Sequence, residues 1–210
     1  HLINQSAPSI LFFHGNGEIA TEYDDIAQVY NQKNINFIIA DFRGYGFSND
    51  VPDVKNTQSD AHIILDYVLK HSKEKNYSGP LILMGRSLGS VSVLELSKRY
   101  PHDFSGLIIE SGFADEGPLF KLIGTTPLQE GFKKKDGFLN GEKIKEYIGP
   151  LLIIHAKQDH IIPFSQGELL YHSCPSEKKT FISVPNANHN NILGINPKKY
   201  FEAVETFINK

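Results

Sequence analysis

Residues 81–89 read Leu-Ile-Leu-Met-Gly-Arg-Ser-Leu-Gly, and the reading of this stretch decides the fold. The apolar run Leu81 to Met84 is too short for a helix and reads as a strand buried on both faces. Gly85-Arg86-Ser87-Leu88-Gly89 then spells G-x-S-x-G. Residues 88–100 carry a helical pattern that stops at Pro101, which cannot continue a helix interior. A serine at such a strand-to-helix turn is held in a strained backbone conformation, with its hydroxyl projecting from the sheet end. Gly85 and Gly89 flank it because a side chain at either place would collide with the adjoining strand or helix. The helix that follows aims free N–H groups toward the serine, so negative charge is stabilised there.

Working outward, five more short apolar runs rich in Ile, Leu or Phe read as strands, at 9–13, 36–40, 106–109, 151–155 and 180–184. Helical patterns lie between or after them at 19–33, 57–72, 165–173 and 197–209, the last opening on Pro197, which suits a first helical turn. Strands alternating with helices predict an α/β fold, a mostly parallel sheet with helices on both faces. The whole chain, 1–210, is expected to form one domain. Residues 112–149 break the rhythm with scattered Gly, Pro and Lys. A structureless loop of that length is unusual, so a small lid-like insertion is expected there.

A serine hydroxyl needs a base to take its proton and a carboxylate to hold that base in the right tautomer. In a fold with this elbow the expected chain order is serine, acid, histidine. Asp159 stands in the loop after the strand at 151–155, and His189 in the loop after the strand at 180–184. Parallel sheets place functional residues at these C-terminal strand ends. Ser87, Asp159 and His189 are therefore the expected nucleophile, orienting acid and base. A histidine base must be neutral to act, so activity is expected to rise with pH. Ser48 lacks the elbow and Ser111 lacks the flanking glycine pair. Glu110 and Asp115 follow the fourth strand and are weaker candidates for the acid. His155 and His160, beside Asp159, read as packed or solvated. After the first strand comes His14-Gly15-Asn16-Gly17, a turn able to present a backbone N–H to the serine. The expected oxyanion donors are the backbone N–H groups of Asn16 and Leu88, each worth on the order of 3 kcal/mol. His14 reads as a residue that fixes this loop.

The totals are ordinary for a soluble globular protein. The 210 residues are 40% hydrophobic and 21% charged, with a formal net charge of -3. Lys133, Lys134 and Lys135 form the one basic triplet and read as a solvated loop, so nothing argues for nucleic acid. A single cysteine, Cys174, excludes an internal disulfide and reads as packing. No His or Cys spacing suggests a metal site. No run approaches the ~18 apolar residues of a spanning helix, and no signal peptide is visible. A cytoplasmic location is the working expectation. The chain begins at His1, so its upstream segment is expected to lie outside this sequence.

His14-Gly15-Asn16-Gly17, Asp41-Phe42-Arg43-Gly44-Tyr45-Gly46-Phe47-Ser48, Gly85 to Gly89, the 155–163 loop and His189-Asn190 together resemble the α/β-hydrolase superfamily. More closely they resemble its Bem46-like branch, which includes abhydrolase-domain proteins related to protein depalmitoylases. The resemblance spans almost the whole chain. It implies an eight-stranded sheet, so the two opening strands are expected to precede His1. It matches Ser87, Asp159 and His189 to catalytic positions and Asn16 and Leu88 to oxyanion positions. By the same resemblance Asp41 and Arg43 structure a loop. Asn186-Ala187-Asn188 stands where the branch more often has glycine or another small residue, and Ala156 replaces a usual glycine. Some relatives carry an N-terminal membrane anchor, which leaves membrane association open.

The expected activity is hydrolysis of a carboxylic ester or thioester on a small-molecule acyl substrate, without a cofactor. Two alternatives are a serine aminopeptidase-like enzyme and a non-catalytic hydrolase-like binding domain. Phe113, Leu119, Phe120, Leu122 and Ile123 are apolar and either line an acyl site or belong to the core.

Overall fold

The computed structural model describes residues 1–122 and 137–209. Ile123, Lys133, Lys134 and Lys135 lie outside the described residues, as does the side chain of Leu122. Six strands, β1 (Ser9–Phe13), β2 (Asn36–Ala40), β3 (Leu81–Arg86), β4 (Gly106–Glu110), β5 (Leu151–Ala156) and β6 (Lys179–Val184), form one sheet in the order β2-β1-β3-β4-β5-β6. Every pairing is parallel.

Side chains alternate across each strand, and the two faces feed two separate cores. Ile10, Phe12, Ile82, Met84, Ile108 and Leu152 face α1 (Asp24–Gln32) and the C-terminal helix α8 (Pro197–Ile208). Leu11, Phe13, Leu83, Leu107, Ile109 and Ile153 face the other way. There they meet Leu65 and Val68 of α2 (Val54–Glu74), Leu94 and Leu96 of α3 (Gly89–Arg99), and Leu170 of α6 (Phe164–Ser173). Both faces are covered, which is why the strands read as continuous apolar runs instead of alternating ones.

Helix starts follow local chemistry. Asp53 caps α2 by accepting the Asn56 N–H at 2.7 Å, so the helix starts at Val54, three residues before the start expected at Thr57. Asn196 caps α8 by accepting the Lys199 N–H at 3.1 Å, with Pro197 in the first turn. The helix expected over 19–33 opens as a 3-10 turn, Ala20–Tyr23, before α1. Between β4 and β5 the described elements are α4 (Gly117–Leu122), α5 (Asn140–Lys143) and a 3-10 turn at Ile144–Glu146. A further short helix, α7 (Ile192–Ile195), stands after the His189 loop.

The strand order reverses beside β1: the chain leaves it for β2 on one side and β3 lies on the other. That switch point opens a crevice at the C-terminal ends of β1 and β3. The turn there is tightly packed. A Cβ on Gly89 would lie 2.0 Å from the Phe13 carbonyl oxygen, and one on Gly85 would lie 2.4 Å from the Gly89 oxygen. These are backbone atoms of β1 and α3, so neither contact can be relieved by rotating a side chain. Gly89→Ala is expected to destabilise the protein by at least the ~1–3 kcal/mol typical of overpacking. Urea denaturation of variant and wild type measures this, and an unchanged midpoint would contradict the packing described.

Candidate active site

Ser87 follows β3 directly, with φ +50. A left-handed backbone costs a non-glycine residue about 1–3 kcal/mol and persists only where neighbours over-determine it. The neighbours do so here. The Ser87 N–H donates to the Glu110 carbonyl at 2.8 Å, and its own carbonyl accepts from the Ser90 N–H at 3.0 Å and Ser90 Oγ at 2.6 Å.

Asp159 lies three residues beyond β5. Its Oδ1 accepts the N–H groups of Ile161 at 3.0 Å and Ile162 at 2.8 Å, leaving Oδ2 free to face the next loop. There His189 Nδ1 meets Oδ2 at 2.7 Å. The Asp159 side chain is fully buried and that of His189 nearly so. Burial alone would raise the Asp159 pKa, but the His189 hydrogen bond and charge, with the two backbone donors, outweigh it and hold the carboxyl below its usual value. An ionised carboxylate only accepts, so His189 Nδ1 carries the proton of this hydrogen bond.

Ser87 and His189 line one cavity of about 420 Å³. No hydrogen bond joins the serine hydroxyl to the imidazole. The cavity wall is largely apolar, with Val54, Leu88, Phe113, Leu119, Phe120 and Phe138. Asn16 and Leu88 reach the same cavity, and neither backbone N–H donates to a protein acceptor among the described residues. Tyr45 Oη donates to Asn16 Oδ1 and so fixes the Asn16 side chain.

The loop carrying His189 is built by asparagines. Asn186 has φ +61, and asparagine is among the few non-glycine residues that tolerate this conformation. Asn191 Oδ1 accepts the Asn188 N–H at 2.7 Å, and Asn188 Oδ1 accepts the Asn190 N–H at 2.9 Å. The Gln158 N–H donates to the Ala187 carbonyl at 2.9 Å, which ties the acid loop to this one. Ala156 is fully buried at the end of β5.

The remaining candidates fall away from the cavity chemistry. Glu110 is buried against Arg86, and Ser111 is fully buried behind β4 with φ +45. Asp115 accepts from Gln166 and from the Gly117 N–H. His14 is buried, with Nδ1 2.8 Å from the Gly15 carbonyl. Asp41 accepts the Ala20 N–H at 2.7 Å, and Arg43 grips Asp60 through Nε and Nη2 at 2.8 and 2.6 Å. His155 is more than packing: fully buried, it donates through Nε2 to the Ile162 carbonyl at 3.0 Å and lies 3.6 Å from Asp159. Burial lowers its pKa, so it backs the acid loop as a neutral ring. Two residues the motif reading left without a role, Arg86 and Glu18, also reach the cavity. The signal for Arg86 lay inside the motif, as the residue preceding the serine. Among the described residues no cluster of three or more His, Cys, Asp or Glu could hold a metal ion. No helix among them is long and apolar enough to cross a membrane.

A parallel sheet with a strained serine after its third strand and an Asp–His pair on two later strand ends defines an α/β-hydrolase. Residues 4–134 match the family model described as serine aminopeptidase, S33. The chain is 30% identical to protein bem46 of Schizosaccharomyces pombe, over 97% of this chain and 68% of that protein. It is 28% identical to α/β hydrolase domain-containing protein 17C of Mus musculus, over 95% of this chain and 59% of that protein. A monoacylglycerol lipase from Paleococcus ferrophilus shares the fold, with a TM-score of 0.75 at 16% identity, covering 97% of this chain and 95% of that one. The chain belongs to the serine aminopeptidase S33 family of α/β-hydrolases and is Bem46-like.

The Asp159 carboxyl sets a stability test. Its folded pKa is depressed, so its contribution is present above the unfolded value of about 3.9 and is lost as pH falls through the lower folded value. The unfolding free energy of wild type is therefore expected to decline relative to Asp159→Asn as pH drops below about 4. Denaturant titrations of both proteins at a series of pH values check this, and a gap independent of pH would count against an ionised, paired Asp159.

Proposed function

We propose that this protein is a serine hydrolase that cleaves an acyl bond, a carboxylic ester or thioester, with Ser87 as nucleophile, His189 as base and Asp159 as the orienting acid. The observation that carries the reading is the shared cavity: a strained serine and an aspartate-backed histidine open together onto one largely apolar wall. Catalytic hydrogen bonds are often long before substrate binds, so the missing Ser87–His189 bond is expected to form in the substrate complex.

In this scheme His189 Nε2 takes the proton from Ser87 Oγ as Oγ bonds to the substrate carbonyl carbon. The carbonyl electron pair moves to oxygen, which the free N–H groups of Asn16 and Leu88 receive. Asp159 stabilises the imidazolium. Collapse of the tetrahedral species expels the alcohol or thiol, which takes the proton from His189. Water then attacks the acyl-enzyme by the same steps and releases the acid. The scheme needs no cofactor. The residues between β4 and β5 supply Phe113, Leu119, Phe120 and Phe138 to the cavity, the position a small lid over the acyl group would take.

The apolar wall favours an ester over an aminoacyl amide. Ser87→Ala is expected to abolish hydrolysis of a short-chain aryl ester and labelling by a fluorophosphonate probe. Removal of a triad member costs about 10⁴-fold or more in kcat. Undiminished labelling of Ser87→Ala would overturn the assignment, and faster cleavage of an aminoacyl arylamide than of the ester would replace the esterase reading with a peptidase.

A further inference from the structure

The acyl-transfer scheme leaves a buried charge network behind the elbow without a role. Arg86, the residue before Ser87, has a side chain only 13% exposed. Its guanidinium reaches three separate segments. Nη1 pairs with Glu18 Oε1 in the loop after β1. Nε lies 3.1 Å from Glu110 Oε1 at the end of β4. Nη2 donates to the main-chain carbonyl of His189 at 2.8 Å.

Each of these partners is tied in turn to part of the site. Glu18 Oε2 accepts the Gly15 N–H at 2.6 Å, one residue before Asn16, and also the Tyr23 hydroxyl at 2.5 Å. The Glu110 carbonyl holds the Ser87 N–H, and the Glu110 carboxylate accepts the Tyr200 hydroxyl at 2.5 Å. Burial works against the charge of Arg86, yet Glu110 and Glu18 outweigh it and raise its pKa above the usual value. Burial raises the Glu110 carboxyl, against the opposing pull of Arg86 and Tyr200.

We propose that Arg86 is a positioning residue, whose guanidinium sets the His189 loop and the Asn16 turn against Ser87. This deepens the serine hydrolase reading and rests on it. Arg86 acts through the main chain of His189 and through Glu18, not on a reacting atom. The residue type fits the task. A planar guanidinium offers five donors in fixed directions and can serve acceptors on three segments at once, whereas an ammonium is a mobile point charge. A displacement of about 1 Å in the reacting groups can cost on the order of 100-fold in rate, so a fixed fork behind the site matters to turnover.

The test compares Arg86→Lys, Arg86→Ala and Glu18→Gln with wild type in steady-state hydrolysis of a short-chain aryl ester. In Arg86→Lys and Arg86→Ala, kcat is expected to fall roughly 10- to 100-fold while KM stays within about twofold. Added guanidinium at millimolar concentration is expected to restore kcat in Arg86→Ala, and methylammonium to restore none. Glu18→Gln is expected to lower kcat less, because it still accepts the Gly15 N–H while losing the charge pair.

Should Arg86→Ala fail to fold, the lysine and glutamine variants carry the test. A kcat for Arg86→Lys within about twofold of wild type would overturn the proposal, as would a raised KM with kcat unchanged, since that marks a substrate contact. In a folded Arg86→Ala, rescue absent with guanidinium or equal with methylammonium would overturn it as well. Ser87→Ala runs in parallel. If Ser87→Ala is inactive and Arg86→Lys unimpaired, the positioning role alone fails. If Ser87→Ala keeps the labelling and turnover of wild type, the serine hydrolase reading fails and takes this inference with it.

Discussion

The turn from β3 to α3 is the constraint on which the rest of the site depends. It must reverse the chain so closely that two glycines are forced, Gly85 against the backbone of α3 and Gly89 against that of β1. The residue between them pays in backbone strain, and Ser87 is held left-handed by bonds to Glu110 and Ser90. Packing α3 this near the sheet buries every residue from Gly89 to Ser97, so the helix cannot slide to relax the turn. Strain at the serine is thus maintained by the hydrophobic core, and core packing and site geometry become one property. Leu88, at the start of α3, lines the cavity, and its N–H donates to no protein acceptor among the described residues.

Much of this was legible because it is local. Each strand is a short apolar run bounded by polar or turn residues, and burial on both faces makes that run continuous. The ends were less legible. The apolar pattern of β3 stops at Met84 and that of β4 at Ile109, yet both strands continue, and the added residues Arg86 and Glu110 are cross-strand partners. A charged residue looks like a strand end when its partner is far away in sequence. The four-residue helices α5 and α7 are not legible because so short a helix shows no hydrophobic period, and the first turn of α2 after Asp53 is polar enough to read as loop.

The Asp159–His189 pairing shows which kind of inference sequence supports. Residue type and chain order nominated the two groups, and the structure places them 2.7 Å apart. What order could not show is how the aspartate is aimed. Its Oδ1 is consumed by the Ile161 and Ile162 N–H groups, which turns Oδ2 toward the histidine. His155, which reads in sequence as packed or solvated, lies behind the same carboxylate with its own proton committed to the Ile162 carbonyl. The asparagines of the His189 loop have physical roles of their own: one tolerates the left-handed backbone, and two others brace the loop through side-chain bonds.

Two buried ionic clusters flank the elbow, and neither is explained by stability alone. One is Arg86 with Glu18 and Glu110. The other joins α5 to α3 and α2: Lys143 Nζ lies 2.7 Å from Glu95 and 3.2 Å from Gln58, and His62 lies 3.1 Å from Glu95. Burial would raise the Glu95 pKa, but Lys143 and His62 bring it below the usual value, while burial lowers that of Lys143. A well-packed apolar pair would often be as stable as such an ion pair, whereas stranding one buried charge costs about 3–5 kcal/mol. The penalty therefore falls on wrong arrangements more than the gain falls on the right one. Lys143 stands on α5, shortly after Phe138 of the cavity wall, and Glu95 stands on the helix that begins at the nucleophile turn. If α5 docked one turn away, Lys143 would lose its carboxylate while Glu95 kept only His62 and the exposed Arg99, so the charge pair fixes where that segment meets the site while apolar contacts alone would tolerate a shift.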